Sequence, residues 1–191
     1  MGSPTGRSRE FLELKQETLG CRQCKLHETR NSVVFGVGNP NANLMFVGEA
    51  PGRDEDLAGE PFVGRSGKLL DRLILQEIGL DREQIYIANV VKCRPPNNRN
   101  PEADEIQSCC GYLKRQIQLI SPVAIVTLGN FAVQTLLGTT EGVTKLRGSI
   151  FEYEQTKLIP TFHPSYALRA GAKVVAQIRA DLVVAKEIIS T

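Results

Sequence analysis

The sequence predicts an α/β fold, a three-layer α/β/α sandwich with a central four-stranded parallel sheet. One observation is that four short apolar runs alternate with segments whose apolar residues recur at helical spacing. A second is that glycine or proline separates most of these segments. Strands that alternate with helices pair in parallel, and the helices cover both faces of the sheet.

The predicted elements follow one another along the whole chain, without an internal repeat. Helices are predicted over residues 9–19, 66–79, about 102–119, 130–138 and 172–189. The second of these carries Leu69, Leu70, Leu73 and Ile74 on one face and closes at Gly79. Strands are predicted over residues 43–50, 84–93, 123–129 and 157–162. Residues 51–65 and 94–101 are predicted to be loops, because they are rich in glycine and proline.

Length and composition indicate one globular unit. The chain has 191 residues, of which 41% are apolar and 23% charged. We expect a flexible tail over residues 1–8 and a single domain over residues 9–191. No apolar run is long enough to cross a membrane, and the first ten residues lack the apolar core of a secretory signal. We therefore expect a cytoplasmic protein with no membrane partner, and we further expect a monomer of a prokaryotic type of cell. The net charge of +2 neither requires nor excludes a nucleic-acid partner.

The cysteines indicate a metal site. Five cysteines without a secretory signal do not suit a disulfide framework. Cys21 and Cys24 have the spacing of two ligands that share a metal centre, and Cys93 and Cys109 can complete a set of four. Zinc and an iron–sulfur cluster both remain open, although the wide second pair favours a cluster. Cys110 is the fifth thiol, and on a helix it points away from Cys109.

Polar residues follow the predicted strands at the point where ligands bind in such folds. Glu49 follows the first strand, Asn89 ends the second, and His163 follows the fourth. A side-chain amide suits the edge of a pyrimidine, because it offers a donor and an acceptor. Asp54 and Asp56 are expected to lie in a solvated acidic loop. Phe62 can either stack on a flat ligand or anchor its loop.

The segment "GRSGK" raises the question of a nucleotide-binding loop. Leu69 follows Gly67-Lys68 where a nucleoside triphosphate loop needs Ser or Thr, so no nucleoside triphosphate is expected. Ser66 and Gly67 can still present backbone N–H groups to a phosphate of DNA. Other candidate phosphate contacts are basic residues, for each of which a solvated surface position is the alternative: Arg65, Lys92, Arg94, Arg99 and Arg169.

The segments "GEAPGRDEDLAGEPFVGRSG", "NVVKCRPPNNRNP", "LG" and "FHPSYALR" resemble the iron–sulfur (family 4) uracil-DNA glycosylases. The resemblance runs from Cys21 to the last helix. It implies a structural [4Fe–4S] cluster held by Cys21, Cys24, Cys93 and Cys109. It also implies excision of uracil from single- or double-stranded DNA after base flipping, which leaves an abasic site.

The same resemblance implies roles for individual residues. Phe62 stacks on uracil, Asn89 reads its N3 and O4 edge, the backbone near Ala50 adds hydrogen bonds, and His163 faces O2. Glu49, Glu55 and Asn98 occupy positions that matter for activity. The segment "HPSYALR", with Ser165, is expected to form a loop in the minor groove, where Leu168 or Arg169 fills the gap left by the base. The Pro-rich loop lacks a histidine, so turnover is expected rather than a covalent complex.

Two points stay open at this stage. Ala50 stands where better-known uracil glycosylases carry an aspartate that positions water, so either Glu49 or Glu55 takes over or water adds with little help. The other readings of the chain are a non-catalytic module that binds damaged or single-stranded DNA and a redox protein that uses its cluster for electron transfer.

Overall fold

The computed structural model describes residues 6–190 and contains one mixed sheet of six strands within that range. The strands are β1 (Val37–Gly38), β2 (Leu44–Gly48), β3 (Tyr86–Asn89), β4 (Ala124–Leu128), β5 (Phe151–Tyr153) and β6 (Thr156–Thr161). Their order across the sheet is β1-β3-β2-β4-β6-β5. The four inner strands are parallel, and the two edge strands are antiparallel to their neighbours.

The described part of the chain also contains eight α-helices, of which the first precedes the strands. They are α1 (Gly6–Leu19), α2 (Arg53–Ala58), α3 (Arg65–Glu77), α4 (Ala103–Ile120), α5 (Asn130–Leu137), α6 (Val143–Leu146), α7 (Pro164–Ala170) and α8 (Ala172–Ile189). Residues Lys25–Glu28 and Pro96–Asn98 form short 3₁₀ turns. No helix among residues 6–190 is long and apolar enough to cross a lipid bilayer.

The helices form the two outer layers of the sandwich. Crossovers between parallel strands are right-handed, so α3, which leads from β2 to β3, and α4, which leads back to β4, lie on opposite faces. α1 packs against α4, whereas α3, α7 and α8 pack against one another. The buried inner strands have no exposed position from Leu44 to Gly48 or from Ala124 to Leu128, as expected for strands covered on both faces.

The predicted α/β sandwich is confirmed, but the sheet has six strands rather than four. The four predicted strands are the inner parallel ones. β1 and β5 are only two and three residues long, which is too short for an alternating pattern to be visible in the sequence. Two segments predicted as loops are helical, because α2 lies inside residues 51–65 and α7 forms most of the "HPSYALR" segment.

The predicted tail over residues 1–8 is also wrong at its boundary. α1 begins at Gly6, so residues 6–8 belong to the helix. The rest of that prediction, for residues 1–5, lies outside the described residues.

Candidate active site

A cavity of about 670 Å³ opens at the carboxyl ends of the parallel strands. Glu49 follows β2, Asn89 ends β3, Gly129 follows β4, and His163 follows β6, and all four line it. The prediction that these strand ends meet at one rim is confirmed. The predicted site residues that line the cavity are Glu49, Ala50, Glu55, Phe62, Ser66, Asn89, Asn98, His163, Ser165 and Arg169.

Asn89 presents an unused hydrogen-bond acceptor to the cavity. Its side chain is 1% exposed, and Oδ1 has no hydrogen-bond partner among the residues that the structure describes. Leaving a buried polar atom unpaired costs about 1–3 kcal/mol, so an orphaned acceptor at a cavity wall marks a place for a ligand donor.

Lys92 fixes the backbone of Asn89 from below. Its Nζ donates to the Asn89 carbonyl at 2.8 Å and to Gln116 Oε1 at 2.5 Å. Gln116 in turn donates to the Phe35 carbonyl and the Tyr86 hydroxyl. The sequence-based suggestion that Lys92 contacts phosphate is wrong, because the side chain is 1% exposed. Burial lowers the pKa of Lys92 to about 8.

His163 faces the cavity as a neutral ring with a defined tautomer. The Ser165 backbone N–H donates to His163 Nδ1 at 3.1 Å, and the Ser165 hydroxyl lies 2.8 Å from the same nitrogen. Burial, with a smaller contribution from Arg169, lowers the pKa of His163 to about 4. Because Nδ1 accepts, the ring proton resides on Nε2, which is therefore a donor.

Phe62 is held in a strained backbone conformation beside His163. Its φ is 55°, a left-handed value that a bulky residue rarely adopts. Arg82 donates to the carbonyl oxygens of Phe62 and Pro61 and pairs with Asp71 at 3.0 Å. The Phe62 ring stacks on His163, with centroids 5.5 Å apart. This aromatic wall is fixed by its surroundings.

The two candidate carboxylates lie in different environments. Glu55 is buried, and its oxygens accept the backbone N–H groups of Gly52, Val63 and Gly64 at 2.9–3.1 Å. Glu49 is half-buried, its backbone carbonyl accepts the Val91 N–H at 3.1 Å, and its carboxylate has no hydrogen-bond or ion-pair partner within residues 6–190. Burial raises the pKa of the Glu49 carboxyl above its ordinary value of 4.5. Glu55 thus braces the loop that carries Phe62, whereas Glu49 keeps free lone pairs in the cavity.

Two charged side chains expected at the surface are paired with other groups of the protein: Asp56 in the interior, and Arg99 at the cavity wall with 32% of its side chain exposed. Asp56 is buried, and it accepts the backbone N–H groups of Asn31 and Ser32 and the Asn31 amide, so the expected solvated position is wrong. Arg99 lines the cavity but forms a bidentate pair with the buried Glu105 at 2.6 and 2.9 Å. Its guanidinium is thus already engaged.

The residues predicted to contact DNA are only partly at the cavity. Ser66, Asn98, Ser165 and Arg169 line it, and the Asn98 Oδ1 accepts from Arg94 Nε at 2.7 Å. Leu168 does not line it but is exposed on the same short helix as Arg169. Gly67 does not line the cavity either, and it is buried under the backbone of Phe62.

The four predicted cysteine ligands line a second cavity. Cys21, Cys24, Cys93 and Cys109 meet there, and Cys110 does not. Arg30 donates to Cys93 Sγ at 3.1 Å, and the Lys92 backbone N–H donates to Cys109 Sγ at 3.3 Å. Such donors stabilise charge on metal-bound sulfur. Within residues 6–190, no three Cys, His, Asp or Glu side chains converge as ligands of a single ion. Burial raises the pKa of the Cys109 thiol to about 12, so ligand binding must drive its ionisation.

The sequence gives no signal for the roles of three residues that shape the first cavity. Lys92, which the sequence suggests as a phosphate contact, and Arg82 act through backbone carbonyl groups, which no sequence pattern reveals. Gly48, the last residue of β2, lies against the side chains of Asn89 and Phe62. A Cβ there would fall 2.4 Å from Asn89 Oδ1 and 2.6 Å from Phe62 Cζ.

Replacement of Gly48 by alanine tests how closely this pocket is packed. We expect Gly48→Ala to abolish ligand binding and activity, because its Cβ displaces both side chains. Gly111→Ala is the matched control, because a Cβ at Gly111 meets nothing within 4 Å. The measurement is the catalytic activity of each variant divided by its folded fraction, which circular dichroism reports. Wild-type activity in Gly48→Ala would contradict the packing argument.

Comparison with known proteins supplies the family. The sequence profile of the Uracil DNA glycosylase superfamily matches residues 35–183. A type-4 uracil-DNA glycosylase of Sulfurisphaera tokodaii is 48% identical over 164 residues, which cover 82% of this chain and 74% of that protein.

Two further relatives support the same placement. A type-4 uracil-DNA glycosylase of Archaeoglobus fulgidus is 47% identical over 82% of this chain and 82% of its own length. The type-4 uracil-DNA glycosylase of Thermotoga maritima is 46% identical over 88% of this chain and 89% of its own. The chain therefore belongs to the uracil DNA glycosylase superfamily and, within it, to the type-4 uracil-DNA glycosylases.

Proposed function

We propose that this chain excises uracil from DNA by hydrolysing the N-glycosidic bond of an extruded deoxyuridine, which leaves an abasic site. The observation that carries the proposal is the unpaired, buried Asn89 Oδ1 in a cavity that is also lined by His163, whose ring proton resides on Nε2. Together these groups match a base that has an N–H beside a carbonyl.

Uracil is recognised by its hydrogen-bonding edge and its flat face. The Asn89 Oδ1 accepts the N3–H, and its amide N–H₂ donates to O4. Cytosine presents an unprotonated N3 and an amino group at these positions, so both contacts become mismatched. Phe62 stacks on the ring, and the backbone N–H near Ala50 donates to a uracil oxygen. The nucleotide must leave the stack to reach this pocket, which costs a few kcal/mol and costs least at mismatches or in single strands.

His163 stabilises the leaving group. As the C1′–N1 bond breaks, its electron pair moves into the uracil ring and negative charge grows on O2. The neutral His163 donates from Nε2 to that oxygen, and the two Ser165 contacts hold the ring in the required orientation. A preorganised donor of this kind lowers the barrier by about 2.7–4 kcal/mol.

Glu49 activates the attacking water. The carboxylate takes one proton as the water oxygen bonds to C1′, and the departing uracil anion is protonated later from solvent. Its lack of competing partners supports this role. Glu55 is a positioning residue, because its oxygens already accept three backbone N–H groups.

The DNA strand is held around the mouth of the cavity. The side chains that contact it are Ser66, Asn98, Ser165, Leu168 and Arg169. The exposed Leu168 and Arg169 enter the gap left by the extruded base, from a short helix rather than a loop. Gly67 is assigned to packing, because a Cβ there would lie 1.8 Å from the Phe62 carbonyl oxygen.

Cys21, Cys24, Cys93 and Cys109 would hold a [4Fe–4S] cluster in the second cavity, because all four thiols line it and N–H groups donate to the sulfur atoms of Cys93 and Cys109. The bound cluster would cross-link the segments that carry these cysteines. An intracellular location suits both the DNA substrate and the unpaired cysteines.

Release of uracil by wild type and pocket variants tests the proposal. An oligonucleotide with one uracil is incubated with enzyme, and abasic sites are converted to strand breaks by alkali. We expect Asn89→Ala and His163→Ala each to lower kcat about 10²–10³-fold, as for loss of one oxyanion donor. Cytosine oligonucleotides serve as controls and stay intact, because both contacts to Asn89 are mismatched. DNA binding without any base release by cluster-loaded wild type would favour the non-catalytic module.

The pH dependence of kcat/KM tests the role of Glu49. The base must be ionised, so activity rises with pH through the Glu49 pKa, above 4.5, while His163 stays neutral down to about pH 4. We expect Glu49→Gln to lower activity about 10²–10⁴-fold and to remove this acid limb. In Glu55→Gln, we expect the acid limb of the pH profile to remain and the unfolding free energy to fall by about 1–3 kcal/mol. An unchanged acid limb in Glu49→Gln would exclude Glu49 as the base.

Iron content tests the cysteine assignment. We expect Cys109→Ser to lower the iron and acid-labile sulfide bound per chain and to lower the melting temperature. Cys110→Ser is the matched control, because this neighbouring thiol does not line the cavity. Visible absorption and metal analysis are the measurements. Equal losses in the two variants would remove Cys109 from the ligand set, and bound zinc without sulfide would replace the cluster by a zinc site.

A further inference from the structure

A column of side chains in contact with one another ends at the first cavity. Asp181, on α8, is buried and pairs with Arg147 through Oδ1 at 2.8 Å and Oδ2 at 3.2 Å. The Arg147 guanidinium lies over the Phe162 ring, 5.3 Å from its centroid. The Phe162 ring contacts Tyr166 with centroids 5.3 Å apart. Tyr166 is the outer member of the column.

The inner members hold the column rigid. Asp181 also accepts the Thr161 hydroxyl at 2.6 Å, and Arg147 donates to the Gln177 carbonyl at 3.0 Å. Phe162 is buried, so its ring cannot turn freely. The Tyr166 ring therefore rests on a fixed aromatic support, which lowers the entropy lost when a ligand stacks on it.

Tyr166 has an open face towards the cavity. It lines the cavity and is 43% exposed, although large apolar rings are normally buried. Its backbone N–H donates to the His163 carbonyl, so it lies one helical turn from the residue proposed to face uracil O2. The base pocket itself is formed by Phe62, Asn89 and His163 and does not need Tyr166.

We infer that Tyr166 forms a stacking subsite for the base next to the extruded uracil, in a single-stranded or locally opened strand. This inference rests on the proposed function, because it places the uracil in the neighbouring pocket. Every nucleobase has a π face, so the subsite accepts any of the four bases as the neighbour of uracil. It gives the enzyme affinity for DNA whose bases are not already stacked in a duplex.

Oligonucleotides that lack one neighbouring base test the subsite. Each single-stranded substrate carries one uracil, and companions replace the nucleotide 5′ or 3′ to it by a tetrahydrofuran residue, which keeps the phosphate. We expect Tyr166→Ala to lower kcat/KM about tenfold on the intact strand, as for loss of one stacking contact. On the companion that lacks the stacked base, the kcat/KM of the wild type falls by a similar factor, and Tyr166→Ala does not lower it further.

Controls separate stacking from other effects. Tyr166→Phe keeps the ring and behaves as wild type, and so does Leu75→Ala, which removes an exposed apolar side chain away from the cavity. Inhibition by free uracil is unchanged in Tyr166→Ala. The inference is overturned if Tyr166→Ala lowers kcat/KM by the same factor on every strand, or if it leaves kcat/KM on the intact strand unchanged. It is also overturned if Tyr166→Ala weakens inhibition by uracil.

A binding measurement separates this inference from the proposed function. Fluorescence anisotropy gives the affinity of each variant for the same strands and does not require catalysis. Wild type that releases no uracil would refute the proposed function. The affinities would still decide the role of Tyr166, because only stacking predicts that the effects of the variant and of the missing base do not add.

Discussion

Both cavities depend on the hydrogen bonds of Lys92, whose side-chain amine is buried. It bonds to the Asn89 carbonyl and to Gln116 of α4, while its own backbone N–H bonds to Cys109 Sγ. Its two side-chain acceptors are neutral, and among residues 6–190 only the thiols of Cys93 and Cys109 favour its charged form, so its burial is costly. The contact fixes the peptide of Asn89, the residue proposed to read the base, only four residues before Cys93.

The proposed base pocket is also held by hydrogen bonds to the backbone around Phe62. Phe62 adopts a left-handed φ that costs about 1–3 kcal/mol, and Arg82 and Glu55 bind the backbone around it. Gly48 and Gly67 leave the space that the ring and its carbonyl occupy. The pocket is thus shaped before any base enters, so uracil binding does not have to supply the free energy of ordering it.

The sequence was sufficient for the parallel core of the sheet and for the rim where the site lies. Apolar runs identify the inner strands, and the residues that follow them, such as Glu49 and His163, must meet at one edge. The sequence was insufficient wherever contacts between distant segments determine the structure or burial of a residue. The edge strands are too short to carry a pattern, and the burial of Asp56 depends on Asn31 and Ser32, which approach it only in the folded chain.

Glu49 and Glu55 show why residue type alone does not identify a catalytic group. Both are carboxylates beside one cavity, six positions apart. Three backbone N–H groups occupy Glu55, so using it as a base would break contacts that hold the loop. Glu49 has no such contacts, and its burial makes the carboxylate a stronger base than it is in water. We therefore propose that Glu49, which reaches the same cavity from the end of β2, takes the role of the aspartate that is absent at Ala50.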